Sequence, residues 1–178
     1  MLESAVAAIP ENATVKGFYF TALLRESSQA GQYLDGYGPY RDFKDYPAAE
    51  VARLLAECAE RMYPDQPKGE GLRRLGWVIF PTLLTTMVGK VVFGALGNDF
   101  NSVMQHAHRG FEVSLNTGRC SLEVLNERDG VLHVKDFYIF PQHFLVGVLE
   151  GAMAHYGHEG NVGLRLLGPG EGLFHLSW

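Results

Sequence analysis

The first two thirds of the chain repeat apolar residues with helical spacing. The clearest run covers 47–62 and predicts a helix with an apolar stripe on one face and solvent-exposed charged residues on the other. Its apolar stripe consists of Val51, Leu54, Leu55, Cys58 and Met62. Similar spacing predicts helices over 18–26, 69–80, 82–96 and 98–109, with 15–19 as a competing strand. The Gly- and Tyr-rich stretch 29–46 predicts a loop.

The last third changes to a period of two, which is typical of strands with one buried face. Residues 119–125 and 131–138 flank a turn at 127–130, and 162–166 and 174–178 flank a glycine-rich turn at 168–172. A helix between these hairpins begins after Pro141 and ends at Gly157. The pattern predicts an α+β fold, with N-terminal helices packed on an antiparallel sheet made of two hairpins flanking one helix. We expect an N-terminal arm over 1–14 and a single domain over 15–178.

The run 77–96 is nearly all apolar and close to the ~20 residues that span a bilayer. Pro81 interrupts it, and Lys90 places a charge in its second half. We therefore expect no membrane span, but two short helices buried in the domain or in a subunit interface. The second of them, 82–96, is apolar on all sides and is predicted to be buried on all sides.

Glycines four residues apart mark one face of the predicted helix 141–157. Gly147 and Gly151 each weaken that helix by roughly 1 kcal/mol relative to Ala, which makes sense where a backbone or a ligand comes close. We expect this face to lie against the apolar run, with Phe80, Leu83, Leu84 and Met87 opposite Phe144, Gly147, Val148 and Gly151. Three interpretations stay open: a filled core, a pocket for a flat or long apolar ligand, and a subunit interface.

Composition narrows the class of protein. The 178 residues carry a formal net charge of -5 without a basic cluster, which argues against nucleic acid as the partner. With only two cysteines, a disulfide framework is not expected and the reducing cytoplasm is the simplest location. The chain has no Gly-x-Ser-x-Gly elbow and no phosphate-binding loop, so we expect no enzyme and no catalytic residue. His155, His158 and Glu159 lie where the helix ends at Gly157, so no metal site is expected.

Six short motifs, in this order and spacing, resemble an uncharacterised paralogous family known mainly from myxobacteria. The resemblance covers 15–178 and implies a fold rather than a reaction. The motifs are VKGFYF at 15–20, YP at 63–64, LRRLG at 72–76, Asn116-x-Gly118, Gly147-x-x-Glu150-Gly151 and Leu176-Ser177-Trp178.

More distantly, the plan is similar to the ligand-binding superfamily of NO signalling and Golgi transport. That superfamily includes haem-nitric-oxide/oxygen sensor domains, 4-vinyl-reductase-type domains and Bet3-like subunits of the TRAPP complex. The resemblance rests on the helical first part and on 144–151 between two hairpins. It implies a non-enzymatic sensory or regulatory domain that binds an apolar small molecule between helices. The alternatives are a Bet3-like assembly subunit, self-associating or bound to a protein partner, and a haem-based gas sensor.

The haem alternative needs an axial histidine and a clamp for the propionates. His106 or His108 lies about where the haem sensors carry their proximal histidine. The positions of the Tyr-x-Ser-x-Arg clamp read Val134, Asp136 and Tyr138 here, and the Asp136 carboxylate would repel a propionate. We therefore expect no cofactor, with haem as the alternative.

Overall fold

The structure, a computed structural model, describes residues 6–94 and 99–178, without the side chains of 92–94. In chain order the elements are β1 (Thr14–Lys16), α1 (Phe18–Gln29), β2 (Asp45–Pro47), α2 (Ala48–Met62), α3 (Lys68–Thr85), α4 (Met87–Gly94), α5 (Phe100–Ser114), β3 (Arg119–Asn126), β4 (Asp129–Lys135), α6 (Gln142–His155), β5 (Asn161–Gly168) and β6 (Glu171–Ser177).

The predicted α+β fold is confirmed. Strands β3 to β6 form one antiparallel sheet in the order β3-β4-β6-β5, so each hairpin supplies two neighbouring strands and α6 connects the hairpins. One face of the sheet is buried against the helices through Leu132, Val134, Phe174 and Leu176. The first turn is tighter than predicted, because Asn126 pairs with Asp129 and leaves only two residues between the strands.

One strand of a small second sheet begins in the segment that is predicted to be a loop. Strand β2 at the end of 29–46 pairs with β1, with Val15 opposite Tyr46. Next to this sheet, the backbone at Gly17 lies close to the backbone at Arg41. This is possible because Gly17 has no side chain: a Cβ there would lie 2.2 Å from the carbonyl oxygen of Arg41. The sequence offers strand and helix for 15–19, and the structure has both, since β1 ends at Lys16 and α1 begins at Phe18.

Two expectations for the apolar run 77–96 are wrong. Helix α3 does not end at 80 but continues through Pro81 to Thr85. The next helix is not buried on all sides, since Met87 is 69% and Val91 66% exposed, while Val88 is buried. The reason is a break at Thr86, after which a new eight-residue helix begins, and its described side chains are buried at Val88 but exposed at Met87 and Val91. Residues 95–96 and 98, the ends of two predicted helices, lie outside the described residues.

The N-terminal segment is joined to the body where the structure describes it. Ile9 and Ala13 belong to the buried core. Asn116 accepts a hydrogen bond from the Thr14 N–H at 2.7 Å and donates one to the Asn12 carbonyl at 2.8 Å. Residues 1–5 are not described, and the boundary at residue 14 stays a prediction. Among the described helices, none combines the length and apolar character needed to cross a bilayer.

Candidate functional site

Helices α3 and α6 touch backbone to backbone along their glycines. A Cβ at Gly147 would lie 1.8 Å from the Arg73 carbonyl oxygen, and one at Gly151 would lie 2.3 Å from that of Trp77. From the other side, a Cβ at Gly76 would lie 2.1 Å from the Phe144 carbonyl oxygen. Any side chain at these positions would separate the helices. The glycine face is therefore closed by the α3 backbone over 73–77, and it is not the wall of a pocket.

The contact between α3 and α6 also involves Glu150 of the motif Gly147-x-x-Glu150-Gly151 and Pro81 of α3. Glu150 accepts two hydrogen bonds from the Arg73 guanidinium, from Nε at 2.8 Å and from Nη2 at 2.6 Å. The hydrogen bond to Glu150 raises the pKa of Arg73, which keeps the guanidinium charged. Pro81 has no N–H for the Trp77 carbonyl, and that carbonyl oxygen faces the bare Cα of Gly151. Both features hold the two helices in one register.

A small apolar cavity lies beside this contact, where four helices meet the sheet. Its volume is about 70 Å³. The lining residues are Tyr19 of α1, Phe80 and Leu83 of α3, Val103, Met104, Ala107, Gly110 and Phe111 of α5, Leu132 of β4, Phe140, and Phe144, Leu145, Val148, Leu149 and Ala152 of α6. Few polar atoms face it, so the cavity suits an apolar occupant.

The predicted site residues divide between this cavity and other places. Four of them line it: Phe80, Leu83, Phe144 and Val148. The other four do not. Leu84 packs half-buried against the core, and Met87 points to solvent beyond the helix break. Gly147 and Gly151 contact the α3 backbone.

Sequence reasoning missed the walls that α1 and α5 contribute. Tyr19 is buried, and Val103, Met104, Ala107, Gly110 and Phe111 form one face of α5. The signal was present, because residues 103, 104, 107, 110 and 111 follow helical spacing. The sequence did not show that this face of α5 and the apolar face of α6 line the same cavity.

The Tyr19 hydroxyl is the polar group among the lining side chains. Burial raises the pKa of Tyr19 well above its ordinary value, and a hydrogen bond with Ser114 acts in the opposite direction. Ser114 itself donates to the Gly110 carbonyl. The cavity therefore offers a neutral phenol and no fixed charge to a ligand.

Both candidate axial histidines lie off the cavity wall. His106 and His108 are half-buried, and the Nδ1 of His106 is 2.8 Å from the Ser102 carbonyl oxygen. Ala107 occupies the wall between them. Since successive residues differ by about 100° around a helix, the two imidazoles flank the cavity face on opposite sides.

The positions of the propionate clamp are also away from the cavity. Val134 is buried in the sheet, Asp136 is exposed with a φ of 56°, and Tyr138 lies against Gly170. None of the three lines the cavity.

Two other kinds of site can be assessed. The described residues contain no group of three or more His, Cys, Asp or Glu that could hold a metal ion. Burial raises the pKa of both Cys58 and Cys120 to about 12, which keeps these thiols protonated and poorly nucleophilic.

A larger open groove of about 670 Å³ runs along the outside of α5 and β3. Its lining residues are Asn101, Met104, Gln105, Leu122, Val124, Asn126, Glu127, Arg128, His158 and Trp178. The Nε1–H of Trp178 donates to the Asn101 side-chain oxygen at 3.0 Å, and the Trp178 N–H donates to the Arg128 carbonyl. Trp178, the last residue of the motif Leu176-Ser177-Trp178, thus forms part of the wall of this groove.

A family model described as a protein of unknown function (DUF2378) matches residues 8–178. The chain belongs to the DUF2378 family. The match agrees with the resemblance drawn from the short motifs, several of which have structural roles in this DUF2378 protein: Asn116 ties down the N-terminal segment, and Gly147, Glu150 and Gly151 hold α6 against α3. A search of curated proteins gave no match.

Several solved structures with a similar fold are H-NOX proteins. An H-NOX domain from Shewanella oneidensis in the Fe(II)CO state is 16% identical with a TM-score of 0.69, over 91% of this chain and 97% of that one. The Fe(II) unliganded H-NOX protein from K. algicida is 16% identical with a TM-score of 0.64, over 91% and 95%. A third structure, described as modulating heme redox potential through protein-induced porphyrin distortion, is 14% identical with a TM-score of 0.60, over 91% of this chain and 97% of that one. At this identity the likeness establishes the fold.

These structures correct the expectation of no cofactor. The solved proteins with this fold are described by the state of their iron or by their heme, so haem is the group that the fold implies. The sequence supports haem only as an alternative, because its histidines and clamp positions do not match the haem-sensor pattern.

The cavity of this chain does not fit that group. Its described lining has no histidine and no cation for a propionate, and Tyr19 and Met104 are the two lining residues of a type that can ligate haem iron. Its volume of about 70 Å³ is also well below the roughly 300–1,000 Å³ of pockets for drug-sized ligands. A haem would need a different arrangement of α5 and the sheet.

Proposed function

We propose that this protein is a sensory or regulatory domain, without catalysis of its own, that binds a small apolar molecule in the cavity between α1, α3, α5, α6 and the sheet. One observation carries the proposal: an apolar cavity lined by five elements lies within an H-NOX-like fold. A molecule that enters contacts all five elements, so binding would change their packing.

The cavity volume restricts the ligand. An apolar cavity of about 150 Å³ can take up benzene or xenon, and this one has about half that volume. A flat or long ligand therefore cannot enter unless the walls move. The proposed occupant is a molecule of a few heavy atoms, or one end of a longer molecule.

Xenon is a suitable probe of this site. We expect backbone NMR signals of residues around Ala107 and Leu145 to shift under xenon pressure, because xenon occupies apolar cavities. An Ala107→Leu variant fills the cavity and should abolish these shifts. Ala154→Leu, on the exposed side of α6, is the matched control. Shifts that persist unchanged in Ala107→Leu would refute the proposal.

Haem is the second candidate, and the fold likeness favours it. The test is the absorption spectrum of the purified protein before and after addition of haemin. A Soret band that is lost in His106→Ala or His108→Ala would establish haem binding and replace the first candidate. A spectrum without one, together with a response to xenon, would support the apolar ligand.

A third candidate, association with a protein or a second copy, rests on exposed apolar side chains. Trp77, Met87 and Val91 are 49%, 69% and 66% exposed on α3 and α4. Such residues are typical of interaction surfaces when they are clustered. Light scattering across a range of concentrations, with Met87→Lys as the disrupting variant, tests self-association.

A further inference from the structure

The cavity and the outer groove share one wall residue. Met104 lines both, and its side chain is 4% exposed. The next wall is also common to both spaces: Leu122 lines the groove, Leu132 lines the cavity, and the two are directly paired across β3 and β4. Met104 and this strand pair therefore lie where the groove and the cavity come together.

Methionine is suited to such a position. Its unbranched side chain has three rotatable bonds and adapts to irregular spaces at low cost. A rotation of Met104 would join the space of about 70 Å³ to the groove of about 670 Å³.

The two spaces differ in chemistry. The cavity is apolar, and the groove has an apolar floor of Met104, Leu122 and Val124 with a polar rim. The rim side chains are Asn101, Gln105, Asn126, Glu127, Arg128 and His158. A ligand that crosses from one space to the other would be apolar at one end and polar at the other.

Charge indicates the nature of the polar end. Arg128 lies at the tip of the β3-β4 turn, and its guanidinium has no ion pair among the described residues. Among the side chains of the lining, Glu127 carries the one carboxylate, and Arg128 and His158 are the two groups that can carry positive charge. A guanidinium recognises a carboxylate through two parallel hydrogen bonds.

We propose that the ligand is a short-chain amphiphile with a carboxylate head, which lies in the groove beside Arg128 while its alkyl tail passes Met104 into the cavity. This inference rests on the proposed function, since the tail occupies the same cavity. It adds the route of entry and the class of ligand.

Trp178 provides the readout, because it lines the groove. In a Trp77→Phe background it is the remaining tryptophan, so its fluorescence reports on the groove alone. Octanoate, octan-1-ol and octylamine share a tail and differ in the head. We expect octanoate to bind most tightly, and Arg128→Gln to weaken octanoate by roughly three- to tenfold while octanol is unchanged. Arg165→Gln, on an exposed position of β5, is the matched control.

A second experiment tests whether the ligand passes Met104 to reach the cavity. Met104→Ala should accelerate octanoate association in stopped-flow fluorescence, because the entry is then open. Arg128 is exposed, so its variant tests the head group even if Met104→Ala fails to fold. Equal affinity for octanoate and octanol with no effect of Arg128→Gln would overturn the carboxylate assignment. An association rate unchanged in Met104→Ala would overturn the route.

Xenon separates this inference from the proposed function. If xenon shifts the cavity signals and octanoate does not bind, the amphiphile is wrong and the apolar site stands. If neither xenon nor octanol binds, the proposed function itself fails.

Discussion

Replacing Gly147 with alanine should destabilise this protein, although the same change in an open helix would stabilise it. Alanine is favoured over glycine within a helix by roughly 1 kcal/mol. At Gly147, however, the new Cβ would lie 1.8 Å from the Arg73 carbonyl oxygen and 2.9 Å from the Trp77 nitrogen. Ordinary van der Waals contact begins at 3.4 Å. The obstacle is backbone, so no side chain can rotate away.

The helices must therefore separate by more than an ångström at their closest point. Overpacking of this kind costs typically about 1–3 kcal/mol, occasionally more. Separation would also lengthen the Arg73–Glu150 hydrogen bonds, which join the same two turns. We expect a net loss of roughly 1–2 kcal/mol in the free energy of unfolding, which corresponds to a melting temperature lower by about 2–8 °C for a chain of this size.

The control is Gly71→Ala in helix α3. A Cβ at Gly71 would have its nearest neighbour at 3.5 Å, so it fits without a shift. This variant should be more stable than the parent by up to about 1 kcal/mol. Urea unfolding followed by circular dichroism measures both. If Gly147→Ala is stabilised as Gly71→Ala is, the backbone contact between α3 and α6 does not exist.

Three further predictions concern the rest of the molecule. Asn116→Ala removes two hydrogen bonds to the N-terminal segment and should cost roughly 1–2 kcal/mol, with faster amide exchange over 12–14. Burial, followed by the hydrogen bond to Glu57, raises the pKa of Tyr37 to about 12. As the pH rises, the unfolded chain loses this proton before the folded protein does, so the free energy of unfolding should fall between about pH 10 and 12. The fall should be less steep in Tyr37→Phe, which has no hydroxyl to titrate. Because burial raises the pKa of Cys58 and Cys120 to about 12, neither should react with a thiol reagent near neutral pH until guanidinium is added.

Each of these has a result that would contradict it. Unchanged amide exchange in Asn116→Ala would mean that the hydrogen bonds do not hold the N-terminal segment. A pH profile identical with and without the Tyr37 hydroxyl would show that this phenol does not contribute. Rapid labelling of either cysteine in the native protein would show that its thiol is accessible.

The sequence predicted those parts of the fold that depend on local periodicity. The alternation of Cys120, Leu122 and Val124 predicted the strand β3, although Cys120 and Leu122 are only half-buried and Val124 is exposed. The paired glycines of α6 indicated a close contact with the mid-chain helices. Both follow from side-chain spacing within one element. The partner of the glycines was misplaced by about two turns, since residues 73–77 and not 80–87 meet them. Spacing within α6 carries no information about its register against α3.

The cavity could not be predicted in this way, because it belongs to no single element. Tyr19, Ala107 and Leu132 lie far apart in the chain and meet only in the folded protein. Strand β2 was missed for a related reason: its pairing depends on β1, and three residues carry too little pattern. The exposure of Met87 depends on the break at Thr86, where the hydroxyl accepts the Gly89 N–H and starts a new helix. Hydropathy alone does not show such a break.

The orientation of α5 about its own axis keeps the candidate haem ligand His106 away from the cavity. Asp99 caps the helix by accepting the Ser102 N–H, and hydrogen bonds from Ser102 lower the pKa of Asp99 and keep it charged. A rotation of about 100° around the axis would be needed to bring His106 to the place of Ala107. That rotation would also carry Val103 out of the cavity wall, where it is now buried. Haem binding through His106 would therefore disturb the apolar packing of α5 along its length. A Soret band in this protein would imply such a rearrangement, and the amide signals of α5 would report it.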